Sequence, residues 1–129
     1  MAGITSEYTK NGDISFLTLS GEMDQPSFSK TFSEVNNLLV KDIKNIALLL
    51  DLSSIGYVNS GFIGHIANLF SLVDENNGKM AIIGNSMIND TFDLVGFGEF
   101  VDIVNSREKA LTILNNFIGA KAFDFRFTD

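Results

Sequence analysis

Ile46-Ala47-Leu48-Leu49-Leu50 is an unbroken apolar run, too short to be a helix of its own and lacking the alternation of a strand that faces water on one side. A run of this kind reads as a strand covered on both faces. That double cover arises when helices cross over from strand to strand, so the run predicts a largely parallel sheet built from strand-helix-strand units with right-handed connections.

The flanking sequence supplies the crossovers. Pro26 suits a first helical turn, and Phe28, Phe32, Val35 and Leu39 then recur at helical spacing. Beyond the central run, residues 51–59 read as a loop. From Ser60 onward Phe62, Ile63, Ile66, Leu69, Phe70 and Val73 fall on one helical stripe, which Asn77-Gly78 ends. Residues 80–83 read as another short buried strand. Ser86 is placed to cap a third helix carrying Ile88, Phe92 and Val95, broken at Gly96-Phe97-Gly98, and 100–104 reads as the last core strand. Ser106 is placed to cap a fourth helix with the stripe Ala110, Leu111, Leu114, Phe117 and Ile118, and Gly119 stands where a helix usually stops.

Ahead of all this, 4–9 and 13–20 flank Lys10-Asn11-Gly12, the signature of a tight antiparallel hairpin. The prediction is an α/β fold: a mixed, mostly parallel four- to five-stranded sheet with an N-terminal β-hairpin and about four helices. The 129 residues make one domain with its core over 4–118. In the tail, 119–129, the alternation of Ala122-Phe123-Asp124-Phe125-Arg126-Phe127 reads either as an added edge strand or as a homo-oligomer contact.

Charge and composition then narrow the function classes. The chain has a net charge of −7, and residues 45–106 hold seven carboxylates against the single base Lys79. Nucleic acid and anionic lipid surfaces, which are bound through Lys and Arg, are not expected as partners of such a chain. No segment approaches the apolar length of a membrane span, and Met1 to Lys10 has neither the basic start nor the apolar run of a signal peptide, so membrane insertion is not expected and a cytoplasmic location is. Without Cys there is no thiolate nucleophile or thiolate metal site, and the one histidine, His65, lies one helical turn beyond Ser60 rather than on a separate element aimed back at it. Gly96-Phe97-Gly98 lacks the third glycine and the preceding strand of a dinucleotide fingerprint, and no phosphate-binding Lys-Ser or Lys-Thr loop is present. A binding protein with no cofactor and no metal is expected, rather than an enzyme.

The segment left to carry a function is Tyr57-Val58-Asn59-Ser60-Gly61-Phe62-Ile63-Gly64, where the chain leaves the central strand and enters the second helix. In open α/β sheets that edge is the one ligands and partners approach. Asn59 and Ser60 are both good helix caps, and the first-turn N–H groups carry partial positive charge that suits a phosphate on Ser60. Gly61 and Gly64 disfavour a helix, which suggests that something approaches the backbone closely there; a neighbouring strand is one such thing. The acid-rich middle further suggests a negative face around Ser60.

Four segments together resemble the STAS domain of anti-sigma factor antagonists: Leu19-Ser20-Gly21-Glu22-Met23-Asp24, then 46–52, then Val58 to Gly64, and finally Phe92-Asp93-Leu94-Val95-Gly96-Phe97. The family's helix entry reads D-S-S-G-[LI]-G, and its first serine, the one a partner kinase phosphorylates, falls on Ser60. Asn59 stands for the acid, Gly61 for the second serine and Phe62 for the middle glycine. Asn59 keeps the capping capacity while removing a charge, and Phe62 either adds bulk or anchors a changed partner surface. The resemblance implies a regulatory protein-binding module whose unphosphorylated form binds an anti-sigma serine kinase. By the same resemblance, phosphorylation of Ser60 would release it, and a serine phosphatase would reset it. Asp24, Asn59, Ser60, Gly61, Phe62 and His65 would form the contact face. The alternative is a STAS scaffold subunit, never phosphorylated, in a stress-signalling or lipid-transport complex.

Overall fold

A computed structural model describes the backbone of residues 4–22 and 25–128, and the side chains of 4–22 and 29–122. The chain forms a five-stranded sheet in the order β1-β2-β3-β4-β5. β1 (Ile4–Asn11) and β2 (Ile14–Glu22) make the antiparallel hairpin, and β3 (Ala47–Tyr57), β4 (Lys79–Ile83) and β5 (Asp102–Val104) follow in parallel. Three crossovers, α1 (Gln25–Val40), α2 (Ser60–Glu75) and α3 (Ser86–Leu94), join successive parallel strands. Strands added one after another in one direction, with connections of one hand, place all three helices on the same face. A 3₁₀ turn (Phe97–Glu99) links α3 to β5, and α4 (Arg107–Thr128) covers the opposite face.

The central run is buried on both sides by its own alternation. Leu48, Leu50 and Leu52 join the core under α1, α2 and α3, whereas Ala47 and Leu49 pack with Ala110 and Leu114 of α4. Side chains of a strand alternate between faces, so an unbroken apolar run is what two covered faces require.

Five local expectations are corrected. The hairpin turn consists of Gly12 and Asp13, one residue later than expected, with Gly12 at φ 64°; a two-residue hairpin loop accepts glycine at its first position for that reason. The segment 51–59 is strand as far as Tyr57 rather than loop. It pairs with β2 through Ser20, Gly21 and Glu22, although β4 accompanies β3 only as far as Asp51. α3 is capped by Asn85, whose Oδ1 accepts from the Ile88 N–H at 2.8 Å, and Ser86 is its first helical residue. β5 begins at Asp102, because the chain still turns through the 3₁₀ segment and Phe100.

The last correction concerns the tail. α4 does not stop at Gly119 but continues to Thr128, so of the two readings of the tail the edge strand is overturned. Gly119 lacks the positive φ of a helix-terminating glycine. Extending an existing helix adds one hydrogen bond for each residue fixed, whereas a new strand needs a separate edge to pair with. The side chains of 123–127 lie outside the described residues, as does that of Phe28.

Candidate functional site

The end of β3 projects beyond β4, and its exposed backbone is satisfied by a side chain. Asn85 Nδ2 donates to the Ser53 carbonyl at 3.2 Å and to the Ile55 carbonyl at 3.0 Å, while its Oδ1 caps α3. One amide thus replaces the missing ladder partner on that side and fixes where β3 delivers the chain. Sequence reasoning assigned Asn85 no role; the available signal was its place immediately before a serine at a helix start, where Asn caps as well as Ser.

From β3 the chain enters α2 through Val58, Asn59 and Ser60. Asn59 is the N-cap: its side-chain Oδ1 accepts from the Phe62 N–H at 3.0 Å, and its carbonyl accepts from the Ile63 N–H at 3.2 Å. Its extended backbone (φ −135°, ψ −179°) is what a capping residue adopts. Val58 packs against the core before the cap, and Phe62 is fully buried after it, edge-on to Phe32 with ring centroids 5.9 Å apart. These two anchors hold the intervening turn. Ser60 and Gly61 lie exposed on it, and Ser60 Oγ makes no hydrogen bond among the described residues.

Gly64 sits one turn further along, also exposed, and a Cβ built on it meets nothing within 4 Å. No neighbouring strand demands a glycine there. Gly56, at the end of β3, differs: a Cβ would lie 3.3 Å from Cγ of Glu22, so the Glu22 side chain lies against this glycine.

The expected contact residues therefore separate. Asn59, Ser60 and Gly61 come together at the helix entry. Phe62 does not belong to an exposed face, because its ring is part of the core; its place on the apolar stripe with Ile66, Leu69 and Val73 was the sequence signal for that. His65 is half-buried and stacks on Phe32 of α1, with centroids 4.7 Å apart and 17° between planes, so it packs α2 against α1. Asp24 lies outside the described residues.

The acid-rich middle is not gathered as a whole around Ser60. Asp74 and Glu75 are at the far end of α2, Asp102 pairs with Lys79 at 2.8 Å on the β4–β5 side, and Asp51 is tied to Ser53 at 2.6 Å. A 16-residue helix is about 24 Å long, so the carboxylates at its C-terminal end do not crowd its entry. The acid beside the end of β3 is Glu22, the register partner of Tyr57, from outside the acid-rich middle. Tyr57 is itself 55% exposed and adds an aromatic surface just ahead of the entry.

Fold and site define a class: a mixed α/β module that presents a capped, exposed serine at a helix entry, with anchors that fix the backbone around it. The family model of the STAS domain matches residues 5–110, and the chain belongs to the STAS family. Among solved structures, an anti-sigma factor antagonist from Mycobacterium paratuberculosis is similar with a TM-score of 0.77 at 18% identity, covering 88% of this chain and 95% of that one. The anti-sigma factor antagonist SpoIIAA in its unphosphorylated form is similar with a TM-score of 0.69 at 11% identity, covering 87% and 97%. An anti-sigma-factor antagonist (STAS) domain protein from Planctomyces limnophilus gives a TM-score of 0.68 at 11% identity over 85% and 97%. Among curated proteins none matches the sequence. Among the described residues no helix is long and apolar enough to cross a membrane.

Proposed function

We propose that this chain is a regulatory protein-binding module of the anti-sigma factor antagonist kind, docking an anti-sigma serine kinase through the α2 entry and switched by phosphorylation of Ser60. The observation that carries this reading is the exposed pair Ser60 and Gly64 on one side of a helix whose other side is core. The fold requires neither a free hydroxyl at the first helical residue nor a glycine one turn later, whereas a partner that lies close against the backbone benefits from both.

In the switch, the kinase transfers the γ-phosphoryl group of ATP to Ser60 Oγ, leaving ADP, and the hydroxyl proton is lost. A serine phosphatase hydrolyses the ester to inorganic phosphate and restores the hydroxyl. The added group, about −2 in charge, sits at the N-terminal end of α2, where unpaired N–H groups and the helix dipole favour it, so the domain stays folded. A docked partner must instead bury that charge, at a cost of several kcal/mol when no cation pairs with it.

The test is incubation with a kinase of that class encoded beside the gene, with ATP, followed by intact mass. Wild type is expected to gain one phosphate and Ser60→Ala none. An equal gain in both proteins, or none in either, refutes the switch.

A second reading, a STAS scaffold subunit that is never phosphorylated, is favoured by a different surface. Leu94, Val95 and Phe100 are 88%, 56% and 68% exposed around the α3–β5 connection, apolar area of the kind a permanent assembly covers. Light scattering after size exclusion separates the readings, since a scaffold forms a stable complex that ATP does not dissolve.

A further inference from the structure

A cavity of about 510 Å³ opens at the lower end of the sheet, where β3 begins. The α2 entry lies at the other end of that 11-residue strand, roughly 30 Å away at strand rise. The cavity volume falls within the range of small-molecule sites. One wall is made by Phe117, Ile118 and Lys121 of α4, beyond residue 110, where the family match ends.

The charges around the cavity are unequally satisfied. Asp42 accepts from the Tyr8 hydroxyl at 3.2 Å and pairs with Lys10 at 3.5 Å. Lys44, Lys121 and Asp13 also line the cavity, and among the described residues none of the three lies within ion-pair distance of an opposite charge. The Lys121 ammonium stands 5.7 Å from the centroid of the Phe117 ring. Three lysines, Lys10, Lys44 and Lys121, against Asp13 and Asp42 leave the lining with a positive balance beside an apolar wall, a local exception in a chain of net charge −7.

We propose that this cavity binds a small amphipathic anion, a carboxylate or phosphomonoester on an apolar body, with Lys44 and Lys121 holding the head group and Ala47, Phe117 and Ile118 receiving the body. A metal cation would meet the lysines with repulsion, and a bare inorganic anion leaves the apolar wall unused. Nucleic acid needs a long basic track, which two lysines in a concavity do not provide. Ammonium–anion hydrogen bonds, strengthened beside apolar walls, supply the selectivity for a charged head.

The test uses the full chain and four probes, octanoate, octyl phosphate, 1-octanol and inorganic phosphate, followed by amide chemical shifts. Both amphipathic anions are expected to saturate a single site, shifting residues 44–47 and 117–122, and to bind at least about tenfold more tightly than 1-octanol or inorganic phosphate. Replacing both cations, Lys44→Gln with Lys121→Gln, is expected to weaken the two anions by about tenfold and leave 1-octanol unchanged. These are surface side chains, and a retained amide spectrum shows that the variant is folded. Ser60→Asp is expected to leave the affinities unchanged. The proposal is overturned if neither anion binds, if 1-octanol binds as tightly as octanoate, if inorganic phosphate binds as tightly as octyl phosphate, or if the shifts centre on Leu94, Val95 and Phe100.

Discussion

Gly64→Ala separates what the fold needs from what a partner needs. Gly64 is the fifth residue of α2, exposed, and open space surrounds the position its Cβ would take. Alanine in a helix interior is favoured over glycine by about 0.5–1 kcal/mol, because glycine loses more backbone freedom on folding. At an unfolding entropy of about 2 cal/mol/K per residue, that gain corresponds to a melting temperature roughly 2–4 °C higher for a chain of 129 residues. Urea unfolding followed by helical circular dichroism measures it, with the midpoint rising and the slope unchanged.

The same methyl group has the opposite effect on a docked partner. A contact already close against the α2 backbone has to move aside, and overpacking a fitted interface costs about 1–3 kcal/mol, or roughly 5- to 150-fold in Kd. The expected variant is therefore a more stable domain that binds the kinase more weakly. Isothermal titration with the kinase reads the second half. A loss of stability would show that the space around Gly64 is filled and refute the structural argument. A gain in stability with unchanged affinity would refute the docking face while leaving the fold argument intact.

Four further outcomes follow from the same geometry. Asn85→Ala removes a cap and two carbonyl partners and is expected to destabilise the domain by about 2–3 kcal/mol in urea titration, whereas Asn85→Asp keeps the cap acceptor and still loses the two donations. Phe62→Ala is expected to cost about 3–5 kcal/mol, marking it as a core position whose binding defects are secondary to unfolding. Gly119→Ala, at an exposed helical site with nothing near its Cβ, is expected to stabilise α4 by up to about 1 kcal/mol, and a decrease in melting temperature would contradict the continuous helix. Burial raises the Tyr8 phenol above its ordinary value, with Asp42 adding to the rise and Ser15 opposing it; the stability this represents is present below about pH 10 and lost as pH rises through the folded-state pKa. In Tyr57→Phe protein, where Tyr8 is the remaining tyrosine, phenolate absorbance should titrate above that ordinary value, and a midpoint at or below it refutes the assignment.

The sheet core was legible because its signal is local. The apolar run at 46–50 and the stripes of α1, α2 and α4 each state their own period, and order along the chain then gives the crossovers. The upper half of β3 was not legible, because Ser53, Ser54 and Gly56 have loop composition and their pairing depends on Asn85 and on a strand register that shifts near Ser20. The stacking of His65 on Phe32 was not legible for a similar reason: it needs the placement of α1, which no spacing within α2 encodes. The acid-rich middle misled in another way. A sum over residues 45–106 carries no direction, and the fold distributes those carboxylates over α2, α3, the 3₁₀ turn and the strands. At the helix entry the cap could be narrowed to Asn59 or Ser60 from residue type alone, and only the backbone geometry separates them.

α2 makes the functional reading testable because its two sides carry different burdens. Phe62, Ile66, Leu69 and Val73 are buried, and they fix the helix whatever its outer side presents. Ser60, Gly61, Gly64, Asn68 and Ser71 are exposed, small or polar, and contribute little packing. Burial supplies about 1.5–3 kcal/mol for each large apolar side chain, so the inner side dominates the stability of the helix and the outer side is free to vary. In the proposed function the switch serine lies on that outer side, where about −2 of charge added to Ser60 would leave the core contacts untouched and alter only what approaches from solvent. Asn59 fits this division: as a neutral cap it holds the turn through the Phe62 N–H and would put no carboxylate beside a phosphate on Ser60. Asn59→Asp would keep that hydrogen bond and place two negative groups on adjacent residues. It should leave the unphosphorylated domain as stable, or stabilise it by a few tenths of a kcal/mol through the helix dipole, while making phosphorylated Ser60 protein less stable than phosphorylated wild type. Equal melting temperatures for the two phosphorylated proteins would show that the charge at position 59 has no bearing on how this helix end accommodates a phosphate.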